Sequence, residues 1–347
     1  MIHFGFLLLS SFFLLTACQD TPPNLLSRFP DVETGTVENE EFEIDSVRNP
    51  YLMVCVEGSI FFANLNLPLM LSQFDATSGK FMGDFLSRGE GPEELLFISG
   101  LSTYKDRLAV IDSDKKEMLL YQMTKDGMAR RDSRITLQND SAILISLFNC
   151  IPLTEEYTVA TGLVRGNRLA LLNNHTGKAI KGFGNYPGNK KDADIENGFA
   201  YQGFMSYQPT KKVLAIGSGF GESISFYDMS HPTSPTLIKE YIHAYPAYKD
   251  ISNQQSQGVV FKKENIMGFI AMTASPDYCI GLFSGKEHSS QHGGDKLLLF
   301  DWNGNAQKAI QLDQPYDQLT YNEQARKVLL FGTEQSGNYR LASIRIE

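Results

Sequence analysis

A few constellations in the sequence have residue types and spacing that could do chemistry. His288 and His292 stand four residues apart in His288-Ser289-Ser290-Gln291-His292, the spacing that sets two imidazoles on one face of a helix for zinc. A metalloprotease helix would carry a Glu between them, whereas here Gly285, Gly293 and Gly294 flank the stretch, which reads as a flexible loop. Gly217-Ser218-Gly219-Phe220-Gly221-Glu222-Ser223 has the glycines of a phosphate cradle but not its Lys-Ser/Thr ending, so it reads as a loose turn. Ser218 and Ser223 lack the strand-to-helix elbow of a hydrolase nucleophile. The acid pairs Glu93-Glu94 and Glu155-Glu156 are adjacent, so on a strand their carboxylates point to opposite faces and read as solvated charges. Cys55, Cys150 and Cys279 sit among apolar, strand-like neighbours with no His or Cys at ligand spacing, and read as small buried hydrophobes. No catalytic residue, metal ligand or cofactor is assigned on these grounds.

Composition narrows the rest. In 347 residues, 42% are hydrophobic and 20% charged, enough for a large core and too apolar for wholesale disorder. A net charge of -9 argues against nucleic acid as a partner, and Lys190-Lys191 and Lys262-Lys263 are too small to form a phosphate-binding footprint. The 23 Phe, 15 Tyr and 29 Gly against a single Trp favour strands joined by tight turns.

The N-terminus reads as an address. Phe4 to Leu15 is an almost unbroken apolar run spanning roughly 18 Å as a helix, too short for a bilayer core and right for a signal peptide. Leu15-Thr16-Ala17-Cys18 resembles a bacterial lipobox, although only His3 and the terminal amine stand in place of the usual basic n-region. The resemblance implies residues 1–17 as signal peptide and Cys18 as the lipidated first residue of the mature chain. Residues 18–34, polar and Pro-containing at Gln19-Asp20-Thr21-Pro22-Pro23, then read as a tether. The implied location is the cell envelope, lipid-anchored and on the outer membrane, with the membrane as a partner through the lipid.

The elements that would position any site follow from an internal repeat. A strand ending in an aromatic or apolar residue is followed by Asp or Asn, a Gly-containing turn and a second strand. Examples are Phe74-Asp75-Ala76-Thr77-Ser78-Gly79-Lys80, Leu172-Asn173-Asn174-His175-Thr176-Gly177-Lys178 and Phe300-Asp301-Trp302-Asn303-Gly304. The turn glycines Gly79, Gly127 and Gly177 lie 48 and 50 residues apart, the size of a four-stranded propeller blade. Units fall at 50–95, 96–140, 141–190, 197–250, 256–312 and 315–347. The last is short of strands, and the alternating stretch Thr36–Ile44 is expected to complete it and close the ring over residues 35–347. The expected fold is therefore all-β: a six-bladed β-propeller of four-stranded antiparallel blades closed by an N-terminal strand. Five or seven blades stay open because the fifth unit is long.

The segment Arg88-Gly89-Glu90-Gly91-Pro92-Glu93-Glu94-Leu95 resembles the Gly-x-Gly-Pro-Gly-Glu-Phe blade linker of NHL-like and TolB-like six-bladed propellers, including lipoproteins of Bacteroidales. Glu93 stands for the Gly after the Pro and Leu95 for the Phe. The resemblance implies a fold and an envelope location and carries over no catalytic residues. Two functions follow as expectations. One is non-catalytic binding of a protein, peptide or glycan through loops at the channel, with Arg88, Glu90, Tyr201 and Gln202 as ligand-binding candidates in inter-blade segments. The other is a propeller hydrolase or lyase acting on glycans or lactones with acids from different blades.

Overall fold

In a computed structural model the described residues are 24–124, 126–138, 142–187, 194–252, 258–290, 293–334 and 336–346. The expected signal peptide, Cys18 and His292 lie outside them. The chain forms six antiparallel blades around one axis. Blade 1 comprises Pro50–Val56, Ser59–Asn64, Leu69–Asp75 and Phe81–Ser87. Blade 2 comprises Ile98–Tyr104, Arg107–Asp112, Glu117–Met123 and Ala129–Thr136. Blade 3 comprises Leu144–Pro152, Tyr157–Val164, Leu169–Asn173 and Ala179–Phe183. Blade 4 comprises Gly203–Gln208, Val213–Ser218, Glu222–Asp228 and Thr236–Ala244. Blade 5 comprises Phe269–Ala274, Tyr278–Phe283, Gly294–Asp301 and Ala306–Tyr316. Blade 6 contributes Gln318–Asn322, Lys327–Thr333 and Tyr339–Ile344, and Glu38–Asn39 supplies its fourth strand.

Blade sequences follow their radial position. Middle strands are sandwiched between neighbouring blades and are buried on both faces, so Ser59-Ile60-Phe61-Phe62-Ala63-Asn64 is buried throughout. Outer strands meet water, as in Ala129-Arg130-Arg131-Asp132-Ser133-Arg134. The hydrophobic core is accordingly divided into layers between adjacent blades. One layer joins blades 1 and 6 around Phe62, Phe74 and Phe331, and another joins blades 4 and 5 around Phe226, Phe269 and Phe300.

The repeated Asp/Asn-Gly turn has a double role. Asp75 Oδ1 accepts the N–H groups of Thr77 and Ser78, and Asn173 Oδ1 accepts those of His175 and Thr176, which closes the turn. Gly79 (φ +67°) and Gly177 (φ +69°) then press against the preceding blade's outer edge. Their carbonyls accept the N–H groups of Glu43 and Gln138 at 3.0 and 2.7 Å. The repeat thus encodes blade-to-blade docking as well as the hairpin.

Closure occurs where the alternating stretch predicts it. Glu38 and Asn39 pair with Ser343 and Ala342, and the Glu40 carboxylate accepts from Lys327 Nζ and Ser343 Oγ at 2.5 Å each. Burial alone would push the Glu40 carboxyl up, but these two donors and the charges of Lys327 and Arg345 hold it below its ordinary value.

Two sequence boundaries need correction. Residues 24–34 are packed on the propeller and are not tether. Leu25 is fully buried, Phe29 meets Phe300 edge-to-face at 5.1 Å, and Val32–Thr34 pairs parallel with blade 5's outer strand. The long fifth unit is explained by a hairpin of its own, Tyr248–Asp250 with Val259–Phe261, which precedes blade 5, so that blade begins at Phe269 and not at 256. A short helix, Asp194–Ala200, packs against the second strand of blade 3. Among the described residues no helix is long and apolar enough to cross a membrane.

Cys55, Cys150 and Cys279 are buried free thiols in blades 1, 3 and 5. Burial pushes the first two up to about 12 and Cys279 higher still. Ellman's reagent should therefore leave all three unmodified in the native protein and titrate three after denaturation, Cys18 aside. Fewer than three after denaturation would reveal a disulfide and contradict the blade assignment.

Candidate functional site

The inner strands of all six blades line an axial funnel of about 1010 Å³. It opens at the end where each inner strand turns back into the second strand, so the rim is built from six equivalent turns. Each turn contributes one charged side chain to the lining: Glu57, Lys105, Glu155, Lys211, Asp277 and Glu323 in blade order. Carboxylates thus outnumber ammonium groups two to one.

The wall is hydroxyl- and amide-rich. Thr320 Oγ1 accepts the Cys55 N–H at 2.9 Å and Thr273 Oγ1 accepts the Tyr321 N–H at 3.2 Å, stitching blade 6 to blade 1 and blade 5 to blade 6. Gln208 Nε2 donates to the Ser275 carbonyl at 3.0 Å, joining blades 4 and 5. Asn149 lies against Gly100, where a Cβ would meet its Oδ1 at 1.9 Å, so glycine is what lets the amide stand beside blade 2. Ser102 Oγ is buried with no hydrogen-bond partner among the described residues.

One side of the rim is electrostatically set. Lys105 Nζ meets Glu155 Oε1 at 2.5 Å across blades 2 and 3, and the ammonium stands 5.3 Å from the centre of the Tyr104 ring. The Lys105 bond holds the Glu155 carboxyl below its usual range, and the same bond raises Lys105. Burial, with the Glu155 charge beside it, raises the Tyr104 hydroxyl. A glycosidase acid needs the opposite shift, so Glu155 is poorly suited to that role.

The residues singled out in the sequence lie elsewhere. Arg88 is exposed, and its guanidinium donates to the carbonyls of Leu67 (3.3 Å) and Leu96 (3.0 Å), fastening the blade 1–2 linker. Glu90 is exposed on that linker. Around it Glu94 accepts the Gly91 N–H, Lys115 Nζ donates to the Gly91 and Glu94 carbonyls, and Arg131 pairs with Glu93. Tyr201 is buried against Tyr186, its hydroxyl donates to the Pro187 carbonyl at 3.2 Å, and burial pushes that hydroxyl up to about 12. Gln202 is exposed, and its carbonyl accepts the Gly219 N–H. The structure does not bring these four residues into one cluster, and none lines the funnel. Ser218 and Ser223 share a buried hydroxyl contact of 2.6 Å, with Arg168 Nη2 donating to Ser218 at 2.8 Å. Among the described residues no group of three His, Cys, Asp or Glu side chains could hold a metal.

The sequence profile of the TolB-like 6-blade propeller-like family matches residues 28–324, most of the propeller just described. The chain belongs to this family. Solved structures resemble the chain in fold at low identity. A protein of Bacteroides fragilis NCTC 9343 assigned as exported aligns with TM-score 0.52 and 11% identity, covering 92% of this chain and 99% of the other. A DUF4221-family member from Bacteroides vulgatus aligns with TM-score 0.52 and 10% identity, covering 90% and 98%. Chaetomium thermophilum Raptor gives TM-score 0.51 and 12% identity over 90% of this chain but only 29% of its own. No curated protein matches the chain in sequence.

No local motif marks the funnel, because its rim residues are about 50 positions apart in sequence. The available signal is positional: each inner strand ends in a charged turn, as in Val56-Glu57-Gly58, Tyr104-Lys105-Asp106 and Asn322-Glu323-Gln324.

Proposed function

We propose that this TolB-like propeller is an exported, lipid-anchored protein of the bacterial cell envelope that binds a peptide or glycan segment in its axial funnel without transforming it. The observation that carries the binding reading is the funnel wall. It mixes hydroxyl donors and acceptors (Ser102, Ser206, Thr273, Thr320), amides (Asn149, Gln208) and tyrosine faces (Tyr104, Tyr207, Tyr321), the groups that recognise hydroxyl- and amide-rich chains. The acid-rich rim disfavours nucleic acid and other polyanions. Export and lipidation are supported by the apolar leader ending in Leu15-Thr16-Ala17-Cys18 and by the fold shared with an exported-type Bacteroides protein.

The test is a thermal-shift panel of oligosaccharides of about four to six sugars and peptides of similar length, with products monitored in parallel. A ligand at 100 times its Kd should stabilise the native state by about 2.7 kcal/mol. Asn149→Leu and Tyr207→Ala should weaken that shift. Turnover of a glycan or lactone would instead establish the hydrolase or lyase reading. An equal shift in wild type and both variants would place binding outside the funnel.

A further inference from the structure

The end of the propeller opposite the funnel rim carries an apolar patch with a defined position relative to the N-terminus. Three side chains of the segment between blades 4 and 5 are half in water: Tyr245 (53% exposed), Ile251 (50%) and Val260 (52%). Tyr245 directly follows blade 4's outer strand, Ile251 directly follows the hairpin strand Tyr248–Asp250, and Val260 is the middle residue of its partner Val259–Phe261. The base of the hairpin is fixed, since Phe261 stacks on Phe220 at 3.6 Å and the Lys262 N–H bonds to the Ala247 carbonyl at 2.9 Å. The apolar side chains are therefore held in place.

The chain enters the described structure beside this patch. The Leu25 N–H donates to Glu222 Oε2 at 2.7 Å, Glu222 pairs with Ala244, and Gly221 lies against the backbone of Ala244, Tyr245 and Pro246. Arg28 Nε bonds to His243 at 3.0 Å on the same edge. From Cys18 to Asn24 is six residue steps, a reach of at most about 20 Å. A lipid on Cys18 would hold this end, and not the funnel rim, next to the bilayer.

We propose that Tyr245, Ile251 and Val260 insert into the lipid surface to which Cys18 is anchored, so that the propeller stands with its funnel facing away from the membrane. This rests on the lipid-anchor reading above. A single short lipid-proximal attachment leaves a domain free to tumble, and a second apolar contact fixes its orientation. Tyr at the headgroup level with Ile and Val beyond it is the composition of an interfacial anchor. Exposed Lys249, Lys262 and Lys263 face Asp250 and Glu264 in the same segment, which leaves one net positive charge, so the contact is mainly apolar and should largely withstand high salt.

The full-length acylated protein, reconstituted in vesicles of phosphatidylethanolamine and phosphatidylglycerol, provides the test. Ile251→Cys is labelled with an environment-sensitive dye, which the three buried native thiols permit, and Thr210→Cys on the funnel rim serves as control. The expected result is blue-shifted emission at position 251, quenched by brominated lipid, against aqueous emission at position 210. Tyr245→Ser with Val260→Ser should lower the membrane-inserted population at 251 by about tenfold or more while acylation persists. Aqueous emission at 251 in protein whose acylation mass spectrometry verifies would overturn the docking alone and leave the hairpin as a surface for a protein partner. Absence of the acyl mass would sink the anchor reading, and the docking with it.

Discussion

Replacing Phe62 by Ala should cost about 3–5 kcal/mol of unfolding free energy, a large share of what a folded protein possesses. Phe62 is fully buried in the layer where the last blade meets the first. Its ring meets Phe331 of blade 6 at 4.8 Å, Phe74 of its own blade at 5.7 Å and Phe42 of the incoming N-terminal segment at 6.0 Å. Removing it opens a cavity that touches all three parts of the closure and that rigid strands on both sides cannot collapse to fill. Chemical denaturation checks this as a lowered midpoint with an unchanged slope. A loss under 1 kcal/mol would mean that the seam between blades 1 and 6 contributes little.

Gly79→Ala should cost about 2–5 kcal/mol by a different route. Its φ of +67° disfavours any side chain by about 1–2 kcal/mol. A Cβ there would also lie 2.0 Å from the Glu41 carbonyl oxygen and 2.7 Å from the Phe42 Cα, and overpacking against backbone adds about 1–3 kcal/mol. Gly166→Ala is the internal comparison. Its φ is +63°, yet nothing lies within 4 Å of the added carbon, so only the conformational cost of about 1–2 kcal/mol applies. Equal losses in the two variants would show that Gly79 serves turn geometry alone and does not dock the blade.

That contrast also shows how much of the architecture could be read from the chain. The Asp/Asn-to-Gly turn is a local signal with a fixed period, because every blade must make the same hairpin and press it on its neighbour. The closing strand was legible for a similar reason: Thr36–Ile44 alternates as a strand must when one face meets the blade and the other meets water. What escaped the sequence was non-local. Leu25 and Phe29 look like part of a polar, Pro-containing leader until Phe300 is placed beside them. The hairpin of Tyr248–Asp250 and Val259–Phe261 was split between the fourth and fifth units, since two three-residue strands are too short to show an alternation of their own.

The candidate site was legible only in outline. Arg88 and Glu90 drew attention because glycines surround them, and those glycines instead let Glu94 and Lys115 fold the linker back on itself. Lys105 and Glu155, by contrast, look like ordinary solvated turn residues. Only the ring geometry brings their side chains within 2.5 Å and turns six separate strand ends into one rim.

The central claim is that the funnel is where this TolB-like propeller holds its ligand. The most direct measurement is a crystal structure with the panel oligosaccharide or peptide that gives the largest thermal shift. The expected result is continuous ligand density on the axis, in contact with Asn149, Tyr207 and at least one rim carboxylate. Density confined to the Arg88–Glu94 linker or the outer strands, with the funnel holding solvent alone, would contradict it.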